Sequence, residues 1–248
     1  MLNTAQAYDD FYATTRGALA QAIISKHIKN LWPDLSKKRI LSCGYTAPYL
    51  KGITDKCDRH ISLIPPIIKG AQPSPNNNIF ISQTEAIPLA DDMMDNICLI
   101  HAMEFFTYQD NSVHNHSLDE LWRVLNPNGR MIIVLPNRMG FWSKLDSTPF
   151  GQGQPYSFTQ ITQCLKAYDF NIETCHPVLF TPPFKQKTIL QTFKGLEKIG
   201  KYLPLFPGAY IIEVSKQIPA LSGRIRHREP SSLLPSGIGF KKPTLSPN

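Results

Sequence analysis

His101 and Glu104 stand three residues apart at the end of the apolar run Asn96–His101. A histidine there can act as a general base, line a ligand, or merely cap a strand. Glu104 can orient a ligand or lend its charge to a helix terminus. Asn137 opens a long connection rich in glycine and aromatic residues that also holds Trp142 and Tyr156. A connection of that length either covers a substrate or packs as a surface loop ahead of Ser157. Its glycines lack a following Lys-Ser/Thr pair, so it is not a phosphate loop. His114 and His116 flank Asn115, but no Cys or carboxylate cluster completes a metal site, and a solvated helix entry is the better reading. The five cysteines are scattered and never form CxxC, which suits reduced, mostly buried thiols.

These residues need elements to position them. Leu19, Ile23, Ile24, Ile28 and Leu31 recur at near-helical spacing, which predicts one amphipathic helix from Phe11 to Trp32, ended at Pro33. Short strand-like runs follow at Arg39–Cys43, His60–Ile64, Ile79–Ser82, Asn96–His101 and Met131–Leu135. They alternate with helix-like or turn-like segments, the pattern of a parallel sheet with crossover helices. The clearest helix is Ser117–Leu125, with Leu118, Leu121, Trp122 and Leu125 on one face, stopped by the turn signal Asn126-Pro127-Asn128-Gly129. Ser157 and Gln160 predict a capping box for a helix over Phe158–Ala167. A strand near Asn171–Leu179, a helix over Lys185–Tyr202 and a last strand at Ala209–Val214 complete the expected body.

The chain of 248 residues is 42% hydrophobic, ordinary for a globular domain, with a net charge of +7. Residues 217–248 hold Arg224, Arg226, Arg228, Lys241 and Lys242 against Glu229 and so supply +4 of that charge. Pro, Ser and Gly make up 13 of these 32 residues, so the expectation is an α/β body over 1–216 and a disordered basic tail over 217–248. With the basic residues gathered in the tail rather than on a folded patch, a nucleic-acid role is disfavoured. Met1–Asp10 is polar without an apolar h-region, and no run approaches the roughly 18 apolar residues of a membrane span. A soluble, cytoplasmic protein that does not enter the membrane is expected; the oligomeric state is left open.

One stretch is specific enough to suggest a family. Leu118-x-Glu120-Leu121-Trp122-Arg123-Val124-Leu125-Asn126-Pro127-Asn128-Gly129-Arg130, followed by the strand Met131–Leu135, resembles the ExxRVLxPGGxL segment of the methyltransferase type 11 family. Upstream, Thr84-Glu85-Ala86-Ile87-Pro88-Leu89, Asp95-Asn96-Ile97 and His101-Ala102-Met103-Glu104 resemble the family's AEALPF, FD and HxLEH segments in order and spacing. The resemblance covers roughly Arg39 to Asn137. It implies a Rossmann-like, doubly wound, mostly parallel sheet with helices on both faces, and the chemistry of a class I S-adenosylmethionine-dependent methyltransferase. In such folds the ligand lies outside the carboxyl ends of the strands.

On that logic Gly44, Tyr45 and Thr46 line the methionine side of the cofactor, Gln83, Thr84 and Glu85 lie near the adenine, and His101 lies near the reacting centre as the candidate catalytic residue. The implied acceptor is a small molecule, since His101-Ala102-Met103-Glu104 stands where amino-methylating enzymes of nucleic acid or protein glutamine carry Asn/Asp-Pro-Pro-Tyr/Phe. The first motif is degenerate. Ser42 occupies the acidic position, Gly44 the first glycine and Thr46 the second, while Pro48 removes a backbone donor. Leu63-Ile64-Pro65-Pro66 offers no carboxylate to the ribose, a loss of about 1.5–3 kcal/mol or roughly ten- to a hundredfold in affinity. These departures equally suit a fold relative without catalysis that serves as a binding or regulatory protein.

Overall fold

The computed structural model describes residues 4–71, 78–106, 116–184 and 206–218. Its elements in chain order are α1 (Ala5–Tyr12), α2 (Thr15–Leu31), β1 (Arg39–Gly44), α3 (Ala47–Leu50), β2 (Arg59–Ile64), β3 (Ile79–Ile81), β4 (Met94–Ile100), α4 (His116–Val124), β5 (Leu125–Pro136), α5 (Phe158–Ala167), β6 (Phe170–Val178) and β7 (Ala209–Lys216). The strands form one sheet in the order β3-β2-β1-β4-β5-β7-β6. β1 to β5 run parallel, and β7 lies antiparallel between β5 and β6. The expected Rossmann-like architecture is therefore present, with the antiparallel pair closing one side.

Both sheet faces are covered. Ile40, Cys98 and Ile132 face a cluster containing Ala20, Ile24 and Ile28 of α2. Leu41, Ile97 and Met131 face Leu118 and Leu121 of α4 and Ile161 and Leu165 of α5. Burying each such Ile or Leu contributes about 1.5–3 kcal/mol, which fixes the strand register that delivers the site residues. The expected capping box on α5 is formed by Ser157 and Gln160. Among the described residues no helix is long and apolar enough to cross a membrane.

The family-like motif residues are staples. Asp95 accepts from the backbone and guanidinium of Arg39 at 2.8 and 3.1 Å, tying the starts of β1 and β4. Arg123 donates to Glu120, Asp91 and the carbonyls of Ile87 and Leu89, while Glu120 accepts from the Ile87 N–H at 2.8 Å. The loop before β4 is thereby clamped onto α4.

Three details differ from the sequence-based expectation. The single helix over Phe11–Trp32 is two helices, and the polar N-terminus belongs to the first. Thr14 caps α2 by accepting from the Gly17 N–H at 3.1 Å, and a Cβ at Gly17 would lie 2.1 Å from the Phe11 carbonyl oxygen, so α1 folds back closely only over a glycine. The expected turn at Asn126–Gly129 lies inside β5 as an irregularity: Met94 pairs Leu125, while Asn96 already pairs Arg130. The last strand runs two residues further, to Lys216. The helix expected over Lys185–Tyr202, His114 and nearly all of the 217–248 tail lie outside the described residues.

Candidate functional site

The carboxyl ends of β1 and β4 lie side by side, and the loops leaving them meet under α1. Gly44 ends β1 with a φ of +92°, and the next residue, Tyr45, donates its N–H to the Ile100 carbonyl at 2.9 Å. A Cβ at Gly44 would sit 2.2 Å from that same oxygen. The glycine is thus demanded by the approach of the loop to β4. Thr46 is buried and precedes α3, where Pro48 falls in the first turn, a position that needs no N–H.

His101 directly follows β4 in a left-handed conformation, φ +54°, with 1% of its surface exposed. Its Nδ1 lies 3.2 Å from Glu104 Oε1 and its Nε2 lies 2.5 Å from the Tyr12 hydroxyl. An ionised carboxylate only accepts, so Nδ1 carries the hydrogen and Nε2 accepts from Tyr12. The Tyr12 oxygen in turn accepts from the Tyr49 hydroxyl, in close contact. The result is a directed chain, Tyr49 to Tyr12 to His101 to Glu104, shut off from solvent.

Aromatic rings wall this chain. Phe150 packs edge-on to His101 at 4.9 Å and Tyr8 at 5.4 Å, while Tyr45 lies 4.8 Å from Tyr8 and stacks on Tyr12 at 5.6 Å. The Tyr45 hydroxyl donates to Asp9 of α1. Burial, reinforced by neighbouring Tyr49, raises the Tyr12 hydroxyl well above its ordinary range; burial and then the Glu104 charge raise Tyr8. The phenols of Tyr8, Tyr12, Tyr45 and Tyr49, all pushed up by burial, stay neutral near physiological pH.

Of the sequence-predicted residues, Gly44, Tyr45, Thr46 and His101 meet at this place. Thr84 and Glu85 join each other at the start of α4, through Ser117: its hydroxyl is 2.7 Å from that of Thr84 and donates to Glu85 Oε1 at 3.3 Å. Gln83 is exposed. Ser42, at the acidic position, is buried in the sheet and bonded to Ser62 and His60, each at 3.0 Å. The long connection sends Phe150 to His101 and keeps its other candidates as scaffold. Asn137 donates to the Pro207 carbonyl at 2.8 Å, Trp142 donates to the Thr181 carbonyl at 2.8 Å beneath Phe150, and Tyr156 is buried in the opposite core cluster.

Tyr8, Tyr12, Tyr49 and Phe150 went unread in the sequence. Tyr8 and Tyr12 are spaced i, i+4 and so share a helix face, a signal that was available. Among the described residues no group of three or more His, Cys, Asp or Glu is placed to hold a metal ion.

Residues 59–133 match the family model described as a methyltransferase domain. None of the curated proteins matches the chain. Solved structures of similar fold include an S-adenosylmethionine-dependent methyltransferase of Thermotoga maritima described as a possible histamine N-methyltransferase. It is 13% identical over 86% of this chain and 95% of that one, with a TM-score of 0.55. A methyltransferase of Archaeoglobus fulgidus is 16% identical over 84% and 97%, with a TM-score of 0.53. A putative methyltransferase solved with the Haloferax volcanii Trm112 activator is similar at 11% identity over 85% and 98%, with a TM-score of 0.53. At these identities the likeness carries the fold, which is that of the class I S-adenosylmethionine-dependent methyltransferases. Within that fold, residues 59–133 are similar to the methyltransferase domain family.

The chemistry of the donor set bears on whether S-adenosylmethionine suits this chain. The cofactor is a cation at sulfur, and the faces of Tyr8 and Tyr45 beside the Gly44–Thr46 loop suit a cation. At the end of β2 stand Ile64, buried Pro65 and exposed Pro66, with no carboxylate for the ribose. The residues fit the methionine end.

Proposed function

We propose that this protein transfers a methyl group from S-adenosylmethionine to a small-molecule acceptor, with His101 as the residue at the reacting centre. The buried Glu104–His101–Tyr12 chain at the carboxyl end of β4 carries the reading. The Gly44–Thr46 loop with Tyr45 would hold the methionine end, and Gln83, Thr84 and Glu85 would face the adenine. When bound, the cofactor supplies an electrophilic methyl group on a sulfonium.

The chain's own residues bind, exclude water and handle the proton. Rings of Tyr8, Tyr45 and Phe150 keep bulk water from His101. The Glu104 carboxylate holds the imidazole with its hydrogen on Nδ1 and so fixes its orientation. Base catalysis by a side chain so held is typically worth about 10²–10⁴-fold.

Isothermal titration with S-adenosylmethionine and S-adenosylhomocysteine tests the reading. Micromolar binding is expected, and no detectable heat at millimolar ligand would overturn it. A second reading, a methyltransferase-fold protein without catalysis that binds or regulates a partner, is favoured by the missing ribose carboxylate and by Tyr12 and Tyr49 packing beside the first loop. It predicts that failed titration.

A further inference from the structure

Two buried polar atoms at the site have no hydrogen-bond partner: the Tyr8 hydroxyl and Glu104 Oε2. Tyr8 is wholly buried and Glu104 is 2% exposed. Leaving a carboxylate oxygen bare in such surroundings is costly, so its persistence calls for a donor. Both side chains meet one ring: Glu104 bonds His101 Nδ1 through Oε1, and the Tyr8 ring packs edge-on to His101 at 5.4 Å.

The chemistry of the surroundings selects the donor. Glu104 Oε2 can only accept, and among the described residues no lysine or arginine is bonded to it or to Tyr8, Tyr12, Tyr45 or Tyr49. The field is therefore negative, which repels carboxylate or phosphate acceptors. A group with two or more N–H bonds can serve the carboxylate and the phenol together, and a positive charge on it strengthens the bond to the carboxylate.

We infer that the methyl acceptor is a primary or secondary amine, held as its ammonium ion between Glu104 Oε2 and the Tyr8 hydroxyl, and that it gives one proton to the Glu104 carboxylate, which frees the nitrogen lone pair to take the methyl group. The inference rests on the methyl-transfer reading for the word acceptor, while the amine site itself stands on the unpaired atoms. Tyr8 and Glu104 are then binding residues, and Glu104 joins the amine to His101 through its two oxygens.

The test titrates ethylamine, benzylamine and tyramine, with ethanol, benzyl alcohol and 4-(2-hydroxyethyl)phenol as neutral counterparts, into the full chain near neutral pH. It is run with and without S-adenosylhomocysteine, and on Glu104→Gln and Tyr8→Phe, which keep side-chain shape. At least one amine is expected to bind about tenfold or more tightly than its alcohol. Glu104→Gln should erase that preference and Tyr8→Phe should reduce it severalfold. Absence of amine binding, equal binding of amines and alcohols, or a loss of S-adenosylhomocysteine affinity in Glu104→Gln with amines unaffected would overturn the inference. Amine selectivity without any S-adenosylhomocysteine binding would instead defeat the methyl-transfer reading and leave the amine site standing.

Discussion

Glu104 Oε1 lies 3.2 Å from Nδ1 of His101, three residues back, and both side chains are closed to solvent. A buried pair of this kind is expensive to break from one side, because the partner left behind keeps its charge without its donor. His101→Ala is therefore expected to destabilise the fold by roughly 3–5 kcal/mol, read from urea unfolding midpoints. A change below about 1 kcal/mol would mean that the His101–Glu104 contact contributes little to folding.

His101→Gln preserves a polar side chain at the same place and separates chemistry from folding. Methyl transfer is expected to fall by about 10²–10⁴-fold, with S-adenosylhomocysteine affinity within about threefold of wild type. Mass-spectrometric detection of methylated product beside a binding titration checks both. Unaltered turnover would remove His101 from the reacting centre.

Gly44→Ala is expected to cost roughly 2–4 kcal/mol, the combined effect of a left-handed φ and overpacking against β4. The added carbon would meet the Ile100 oxygen at 2.2 Å and the Ala102 Cβ at 3.0 Å. Thermal unfolding measures it. Gly52→Ala, with a φ of +76° but nothing within 4 Å of the new carbon, is the control and should show only the strain part.

Arg123→Ala removes the guanidinium bonds to Glu120, Asp91 and the Ile87 and Leu89 carbonyls, leaving the Ile87 N–H to Glu120 bond in place, and is expected to cost about 2–3 kcal/mol in chemical denaturation. Protection of amide hydrogens in residues 84–92 should fall more than in β1, since the loop loses its anchor while the sheet does not.

The Arg123 hydrogen bonds hold Glu120 below the ordinary carboxylate range. Because the folded value is depressed, the stabilisation is present above the unfolded value and lost as pH falls through the folded one. Glu120→Gln should therefore be less stable than wild type near neutral pH, with the gap closing below about pH 4. A gap that stays constant on acidification would show that the pair contributes through packing alone.

Much of the frame was legible in the chain because it follows from local periodicity. Alternating apolar runs and helical stripes placed β1, β2, β4, α4, α5 and β7 within a few residues, and the Ser157–Gln160 box marked the start of α5. The Glu120–Arg123 spacing showed one helical face, though its clamp on the Ile87 and Leu89 carbonyls did not, since those partners lie over thirty residues away. The break at Ala13–Thr14 was hidden because Phe11 and the residues of α2 continue an apolar pattern across it.

By itself the sequence determined the α/β class, the strand ends on which Gly44 and His101 fall, and the absence of a carboxylate after β2, because all three depend on residue type and short-range order. Tertiary structure alone decided that α1 lays Tyr8 and Tyr12 over His101, that Phe150 rather than Trp142 or Tyr156 reaches the site, and that Glu104 keeps one oxygen bare. Those contacts join residues far apart in the chain, 89 positions for Tyr12 and His101, and burial and hydrogen bonding across such distances are set by the packing of whole elements.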